Sequence, residues 1–187
     1  MINIIEELYS DPKHSDYSEK SSNVRFEHLV RDLSVPNVSI LDYGCGPGNM
    51  VSWFLSNKQT PKYYYGYDVR EKTIAFAKQI LPSFKFETTL PTDELFDMAL
   101  FAGTISYAFD EDIDLCKNFY RQEIDKAMGL LKTDGIIRGT VRKVGYEYAK
   151  NNKRMITYTE NELQNLGAKT VYNIFDHEWF FEITKQR

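Results

Sequence analysis

The sequence predicts an α/β domain in which a mostly parallel sheet is covered on both faces, and three observations predict it. Apolar segments of strand length alternate along the chain with segments whose apolar residues recur at the helical period. A glycine-rich turn, Gly44-Cys45-Gly46-Pro47-Gly48, links one such strand to the next helix. Near the carboxyl terminus two strands are separated only by Asp176-His177-Glu178, too few residues for a crossover, so these two run antiparallel.

The elements follow in order. Phe26, Leu29, Val30 and Leu33 put a helix over 24–33, and Pro36 closes it before a buried strand at 38–41. After Gly48, the spacing of Met50, Val51, Phe54 and Leu55 predicts a second helix, and 63–67 reads as the second strand. A helix from about Arg70 turns Ile74, Ala77, Ile80 and Leu81 inward; strands at 84–86 and 98–102 follow, with too few residues between them for a full helix. Cys116, Phe119, Tyr120, Ile124, Ala127, Met128 and Leu131 keep the helical period over 112–131, which Lys132-Thr133-Asp134-Gly135 ends before a strand at 136–141. Thr159 and Glu162 form a capping box for a short helix that stops at Gly167, and strands at 170–175 and 179–183 complete the chain.

Composition narrows the function. At 187 residues, 42% hydrophobic and 27% charged, the chain is sized for a single domain over 1–187, read here as a core at 23–187 behind a possible lid at 1–22. Twenty-three Lys and Arg against 27 Asp and Glu give a net charge of −4, which makes nucleic acid a poor default partner. No stretch approaches a membrane span, Glu6 and Glu7 interrupt the start of the chain, and Cys45 and Cys116 read as thiols of a reducing, cytoplasmic compartment.

The chemical signal lies at Leu41-Asp42-Tyr43-Gly44-Cys45-Gly46-Pro47-Gly48. Gly44 permits a tight turn, Gly46 carries no side chain to block a ligand, and Gly48 lets the helix start close to the strand. Twenty residues on, Asp68 ends the second strand, where a carboxylate can accept hydrogen bonds from both hydroxyls of a ribose. A dinucleotide fingerprint puts its third glycine three residues after the second; here the gap is two and holds Pro47, which favours an adenosine-type ligand without pyrophosphate.

These motifs resemble the class I S-adenosylmethionine-dependent methyltransferases, and the resemblance runs from Ser39 to Lys185. The first motif is matched by Asp42, Gly44, Gly46 and Gly48, the second by Gly66-Tyr67-Asp68 and the fourth by Phe96-Asp97-Met98-Ala99-Leu100-Phe101. The resemblance implies a Rossmann-like, doubly wound, three-layer fold with seven strands in the order 3-2-1-4-5-7-6 and an antiparallel last strand. It further implies S-adenosylmethionine as cofactor. Asp42 and the loop from Gly44 through Cys45 and Gly46 to Gly48 would cradle the methionine part, flanked by Phe101 and Ala102; Asp68 would hold the ribose and Val69 pack on the adenine. Where the family often has an Asp for the adenine amino group, this chain offers Glu87 or Thr88.

The methyl acceptor should face 101–107, with Tyr107 and Ser106 as its polar groups and His177, in the last hairpin, as a candidate base. Arg25 is a candidate partner for the cofactor carboxylate, and Tyr9, His14 and Tyr17 for a lid. Asp110, Glu111, Asp112 and Asp114 either attract a cationic acceptor or serve a helix start. No metal-ligand spacing occurs. The compact chain leaves little for an added substrate-binding domain and its net charge is acidic, so the expected acceptor is an oxygen or nitrogen of a small molecule; the Asn-Pro-Pro-Tyr and Pro-Cys signatures that family resemblance ties to exocyclic amines and cytosine carbon are missing, which disfavours those two groups. Two readings stand beside it: RNA or protein bound through Arg138, Arg142, Lys143, Lys150, Lys153 and Arg154, and a cofactor-binding module without turnover.

Overall fold

A computed structural model of the protein describes residues 19–145 and 155–186. Tyr9, His14, Tyr17, Lys150, Lys153 and Arg154 lie outside the described residues. The elements are α1 (Glu19–Leu29), β1 (Ser39–Tyr43), α2 (Asn49–Ser56), β2 (Tyr63–Tyr67), α3 (Glu71–Ile80), β3 (Lys85–Glu87), β4 (Phe96–Ala102), α4 (Ile113–Gly129), β5 (Leu131–Arg142), α5 (Glu160–Asn165), β6 (Thr170–Phe175) and β7 (Glu178–Thr184).

Seven strands form one sheet in the order β3-β2-β1-β4-β5-β7-β6. The first five pair in parallel, and only β7 is reversed, antiparallel to both β5 and β6. Every residue of β1 is buried, as expected for a central strand covered on both sides. On one face Phe26 and Leu29 of α1, Val51 and Phe54 of α2 and Ala77 of α3 pack on Ile40, Met98 and Leu100. On the other, Cys116, Tyr120, Ile124 and Ala127 of α4 and Leu163 of α5 pack on Leu41, Ala99, Ile137 and Phe181. The result is the three-layer doubly wound arrangement that the alternating pattern predicts.

Two boundaries differ from the sequence expectation. The first helix ends at Leu29 because the chain turns at Asp32, which takes a left-handed φ of 63°; Leu33 still packs on the core, so the apolar spacing outlasts the helix. Strand β5 begins at Leu131, where the sequence places a helix stop, because Leu131 pairs with Phe96 before a register shift and a left-handed Asp134 at φ 62° carry the chain into the regular ladder. The Lys132 ammonium, in that segment, bonds the Asp97 carboxylate at 2.9 Å.

Between β3 and β4 there is no helix. The segment 88–95 is instead fastened by polar contacts: Tyr65 Oη donates to Thr89 O (2.8 Å), Tyr63 Oη to Glu94 (2.7 Å), and Lys85 Nζ to Glu94 (2.8 Å). Eight extended residues reach about 28 Å, enough to pass three interstrand spacings of about 4.8 Å and still return along the sheet. The capping box at Thr159 and Glu162 is present at the start of α5.

Gly139, in mid-β5, pairs with Phe181 of β7 across the antiparallel ladder, and a Cβ there would lie 2.3 Å from Phe181 Cζ. The ring is fully buried and has no room to retreat. G139A is expected to lower the unfolding free energy by about 1–3 kcal/mol in urea titrations with the m-value unchanged.

Candidate active site

The carboxyl ends of β1, β2, β4 and β5 and the start of β7 share one end of the sheet, and the candidate residues gather there. After Tyr43 the chain turns back sharply, and Gly44 N and Cys45 N both donate to Tyr67 O, at 2.7 and 2.9 Å. The turn needs left-handed backbone at Gly44, Gly46 and Gly48 (φ 79°, 55° and 88°), which side-chain-bearing residues rarely adopt. Their surroundings differ. A Cβ on Gly44 would strike the Thr104 side chain and one on Gly48 would strike Leu81, whereas one on Gly46 would meet, among the described residues, only Arg70 Nη2, at 3.5 Å. Of the three, Gly46 is the one whose bare face is turned from the core.

Asp68 is joined directly to that loop, since Gly46 N donates to its Oδ2 at 3.0 Å, and its own N–H donates to Glu87 O on β3. Both carboxylate oxygens also accept from Arg70, Oδ1 from the backbone N–H and Nε and Oδ2 from Nη2, each at 3.0 Å. Val69, Glu87 and Thr88 line up beside it as half-buried residues, and the Glu87 carboxylate pairs with Lys78 at 2.9 Å. Glu87 therefore offers its side chain to a cation, while Thr88 is uncharged.

Asp42 is buried behind the loop, where Tyr64 Oη donates to its Oδ2 at 2.6 Å. Burial pushes its carboxyl up to about 7; the Tyr64 hydrogen bond opposes this, and the nearby Asp68 charge adds to it. The Cys45 thiol is buried too, and burial first, then the Asp42 and Asp68 charges, raise it well above its ordinary value, so it stays protonated. Phe101 is fully buried and stacks on Tyr43 with centroids 4.7 Å apart, on the α4 face of the sheet; Ala102 is half-buried on the opposite face.

The β5–β7 end of the site is organised around Glu178, the first residue of β7, which pairs in register with Arg142 at the end of β5. Its fully buried carboxylate accepts both Nε and Nη2 of Arg25 from α1, and Arg142 Nη1 at 3.4 Å. Arg25 is thus bonded to a protein carboxylate 153 residues away in sequence. Ser106 is buried and its Oγ accepts the Arg142 N–H at 3.1 Å, which makes it a brace between the β4 loop and β5. Tyr107 is half-buried, with its carbonyl accepting from Tyr120 Oη at 2.8 Å. His177 is half-buried on the β6–β7 turn, its ring parallel to Phe175 at 5.5 Å. Burial, followed by the Arg142 cation, holds its imidazole below the ordinary value, and Glu178 opposes them. Asp112 caps α4 by accepting from Asp114 N and Leu115 N, so one of the four acids serves a helix start.

A family described as a methyltransferase domain matches residues 34–178 of this chain. The chain belongs to the S-adenosylmethionine-dependent methyltransferases. No curated protein matches it significantly. Among solved structures, N-methyltransferase NodS from Bradyrhizobium japonicum WM9 with S-adenosyl-L-homocysteine shares the fold at a TM-score of 0.69 and 17% identity, over 97% of this chain and 98% of that one. The PH0226 protein of Pyrococcus horikoshii OT3 gives 0.67 and 16% over 97% and 99%. Magnesium protoporphyrin IX methyltransferase from Synechocystis PCC 6803 gives 0.64 and 14% over 98% and 94%.

The protein is therefore an enzyme whose cofactor is S-adenosylmethionine. The bare face of Gly46 beside a ribose-binding type of carboxylate fits that group, with Asp42 buried behind. Three contributors to this site are not among the residues singled out from sequence: Arg70, Tyr64 and Glu178. Arg70 carried a visible signal, since a cation at a helix start opposes the helix dipole and an acid stands two residues before it as a partner. Tyr64 and Glu178 owe their roles to strand pairing and carried none.

The Asp42 carboxyl makes stability pH-dependent in a definite direction. Its folded value, about 7, exceeds the ordinary 3.8, so its contribution is fully present below about pH 4 and lost as pH rises through 7. In the ligand-free methyltransferase, the unfolding free energy of the native protein relative to D42N is expected to fall by about 2–3 kcal/mol between pH 5 and 8. Parallel urea titrations at those pH values check it.

Proposed function

We propose that this methyltransferase methylates an oxygen or nitrogen of a small molecule, with Tyr107 lining the acceptor side and His177 acting as general base. One observation carries the preference for a small acceptor: the described cations of the basic segment are engaged within the protein. Arg138 bonds Glu182 at 2.7 Å and the carbonyls of Leu29 and Arg31, Arg142 bonds Glu178, and Lys143 lies over the Trp179 ring at 4.3 Å. A phosphate backbone would have to compete with each of these contacts. The fold shared with an N-methyltransferase and with a magnesium protoporphyrin IX methyltransferase agrees with this reading.

In this reading Asp68 accepts the two ribose hydroxyls, Val69 packs on the adenine, and Glu87 or Thr88 reaches its amino group; Gly46 gives the methionine part its close approach to backbone. Bound S-adenosylmethionine supplies an electrophilic methyl carbon. The chain must align an acceptor lone pair with that carbon and exclude water, and positioning of this kind supplies most of the rate. An acceptor that arrives protonated also needs a base. His177 suits the task because burial and Arg142 keep its imidazole neutral at pH 7, and because it stands beyond the carboxyl end of β5. No helix among the described residues is long and apolar enough to cross a membrane, and we place the enzyme in the cytoplasm.

S-adenosylhomocysteine release, followed with panels of small amines and hydroxy compounds and with RNA, tests the proposal. A small-molecule acceptor is expected whose KM changes less than about twofold between 50 and 200 mM salt, where a ligand making many phosphate contacts would lose about 10³-fold or more. With that acceptor, H177Q should lower kcat by about 10²-fold, remove the acid limb of the pH profile and leave cofactor affinity unchanged. Turnover on RNA alone, or an unaltered kcat in H177Q, would overturn the corresponding half.

A further inference from the structure

The carboxylate that the proposed function assigns to the ribose is already saturated. Asp68 accepts four hydrogen bonds at 3.0 Å, two on each oxygen: from Gly46 N, Arg70 N, Arg70 Nε and Arg70 Nη2. A carboxylate offers about four acceptor directions, so no capacity is left for two hydroxyl donors. Two of the four donors are main-chain groups, one in the glycine loop and one at the start of α3, and neither can leave without dismantling its element. The other two belong to a single flexible side chain.

We infer that Arg70 is an internal stand-in for the ribose: its guanidinium fork occupies the diol position on Asp68 and must swing out for the adenosyl ligand to dock. The exchange is two for two, N–H donors out and O–H donors in, around the same oxygens. The guanidinium also lies over the loop, since its Nη2 is, among the described residues, the one atom that a Cβ on Gly46 would meet within 4 Å. It therefore covers the bare backbone face that a ligand needs. The Arg70 and Asp68 side chains are 13% and 6% exposed, so the pair is largely shielded from water and competes more strongly than a surface ion pair would.

This assigns Arg70 a part in setting cofactor affinity. Ligand binds the Arg-out state, and the apparent Kd is the intrinsic one divided by the fraction of molecules in that state. Removing the fork while keeping an apolar stem, as in R70M, raises that fraction to one. The ligand-free protein meanwhile loses two charge-assisted hydrogen bonds.

The inference rests on Asp68 as the ribose ligand, and the test separates the two claims. Calorimetric titration of the full-length protein with S-adenosylhomocysteine is expected to give R70M a Kd about tenfold lower than the native protein, and D68A no measurable binding. The gain should extend to adenosine and vanish for 2′,3′-dideoxyadenosine competing against S-adenosylhomocysteine, which a merely structural Arg70 would not produce. R70K keeps the charge without the fork and should show a smaller gain of the same sign, which covers the case in which R70M does not fold. Loss of binding in D68A with unchanged or weaker binding in R70M, or in R70K alone if R70M does not fold, overturns the stand-in role and leaves the ribose assignment intact. Native-like binding in D68A overturns both.

Discussion

Two amides converging on one carbonyl hold the site together. Gly44 N and Cys45 N both reach Tyr67 O, so the loop that leaves β1 is pinned to the end of β2 rather than running on into α2. That contact brings Gly46 N within reach of Asp68, and through Asp68 N it ties in β3. The glycines are needed because this path requires left-handed backbone three times in five residues, twice with protein packed hard against the missing Cβ. The glycine loop after β1, the end of β2 with its acid, and β3 are thus joined by one set of hydrogen bonds.

The sheet treats its two halves differently. Around the glycine loop each buried carboxylate has its own partners: Asp42 is answered by the neutral Tyr64 hydroxyl, and Asp68 by the Gly46 main chain and the Arg70 guanidinium. At the β5–β7 end, two cations share one buried carboxylate, Arg25 and Arg142 on Glu178. Such a cluster adds little net stability, since desolvation offsets much of the attraction, but it is costly to take apart once formed. It clamps α1, β5 and β7 at the end of the sheet where His177 stands. Tyr43 and Glu123 make a corresponding contact on the opposite face, with Tyr43 Oη donating to the carboxylate of α4.

Much of this was legible in the sequence because it is local. The strand-turn-helix of residues 41–55, the acid twenty residues on, the capping box at Thr159 and the tight last hairpin all follow from periodicity and turn chemistry. The missing helix between β3 and β4 was also legible, from the number of residues available. What escaped depends on pairing between distant segments. Lys132 to Gly135 has the composition of a helix stop, and only the neighbouring Phe96 turns its surroundings into a bulged strand. Arg25 reads from sequence as a partner for the cofactor carboxylate, and nothing local points to Glu178, which it bonds instead. Ser106 reads as a group for the acceptor, yet it holds the Arg142 main chain.

The helix-free crossing from β3 to β4 has a kinetic side. Three-residue β3 is an outer strand, covered on one face by a segment that Tyr63, Tyr65 and Lys85 fasten through partly solvated contacts. Contacts of that type loosen sooner than packed hydrocarbon, so transient opening of the molecule should begin at this margin rather than at the aromatic hairpin opposite. Because the Glu87 carbonyl anchors the Asp68 amide, each such breath would, in the proposed reading of Asp68 as the ribose ligand, slacken the grip on the adenosyl end. Product escape and fraying of this border would then be one event, with a shared temperature dependence.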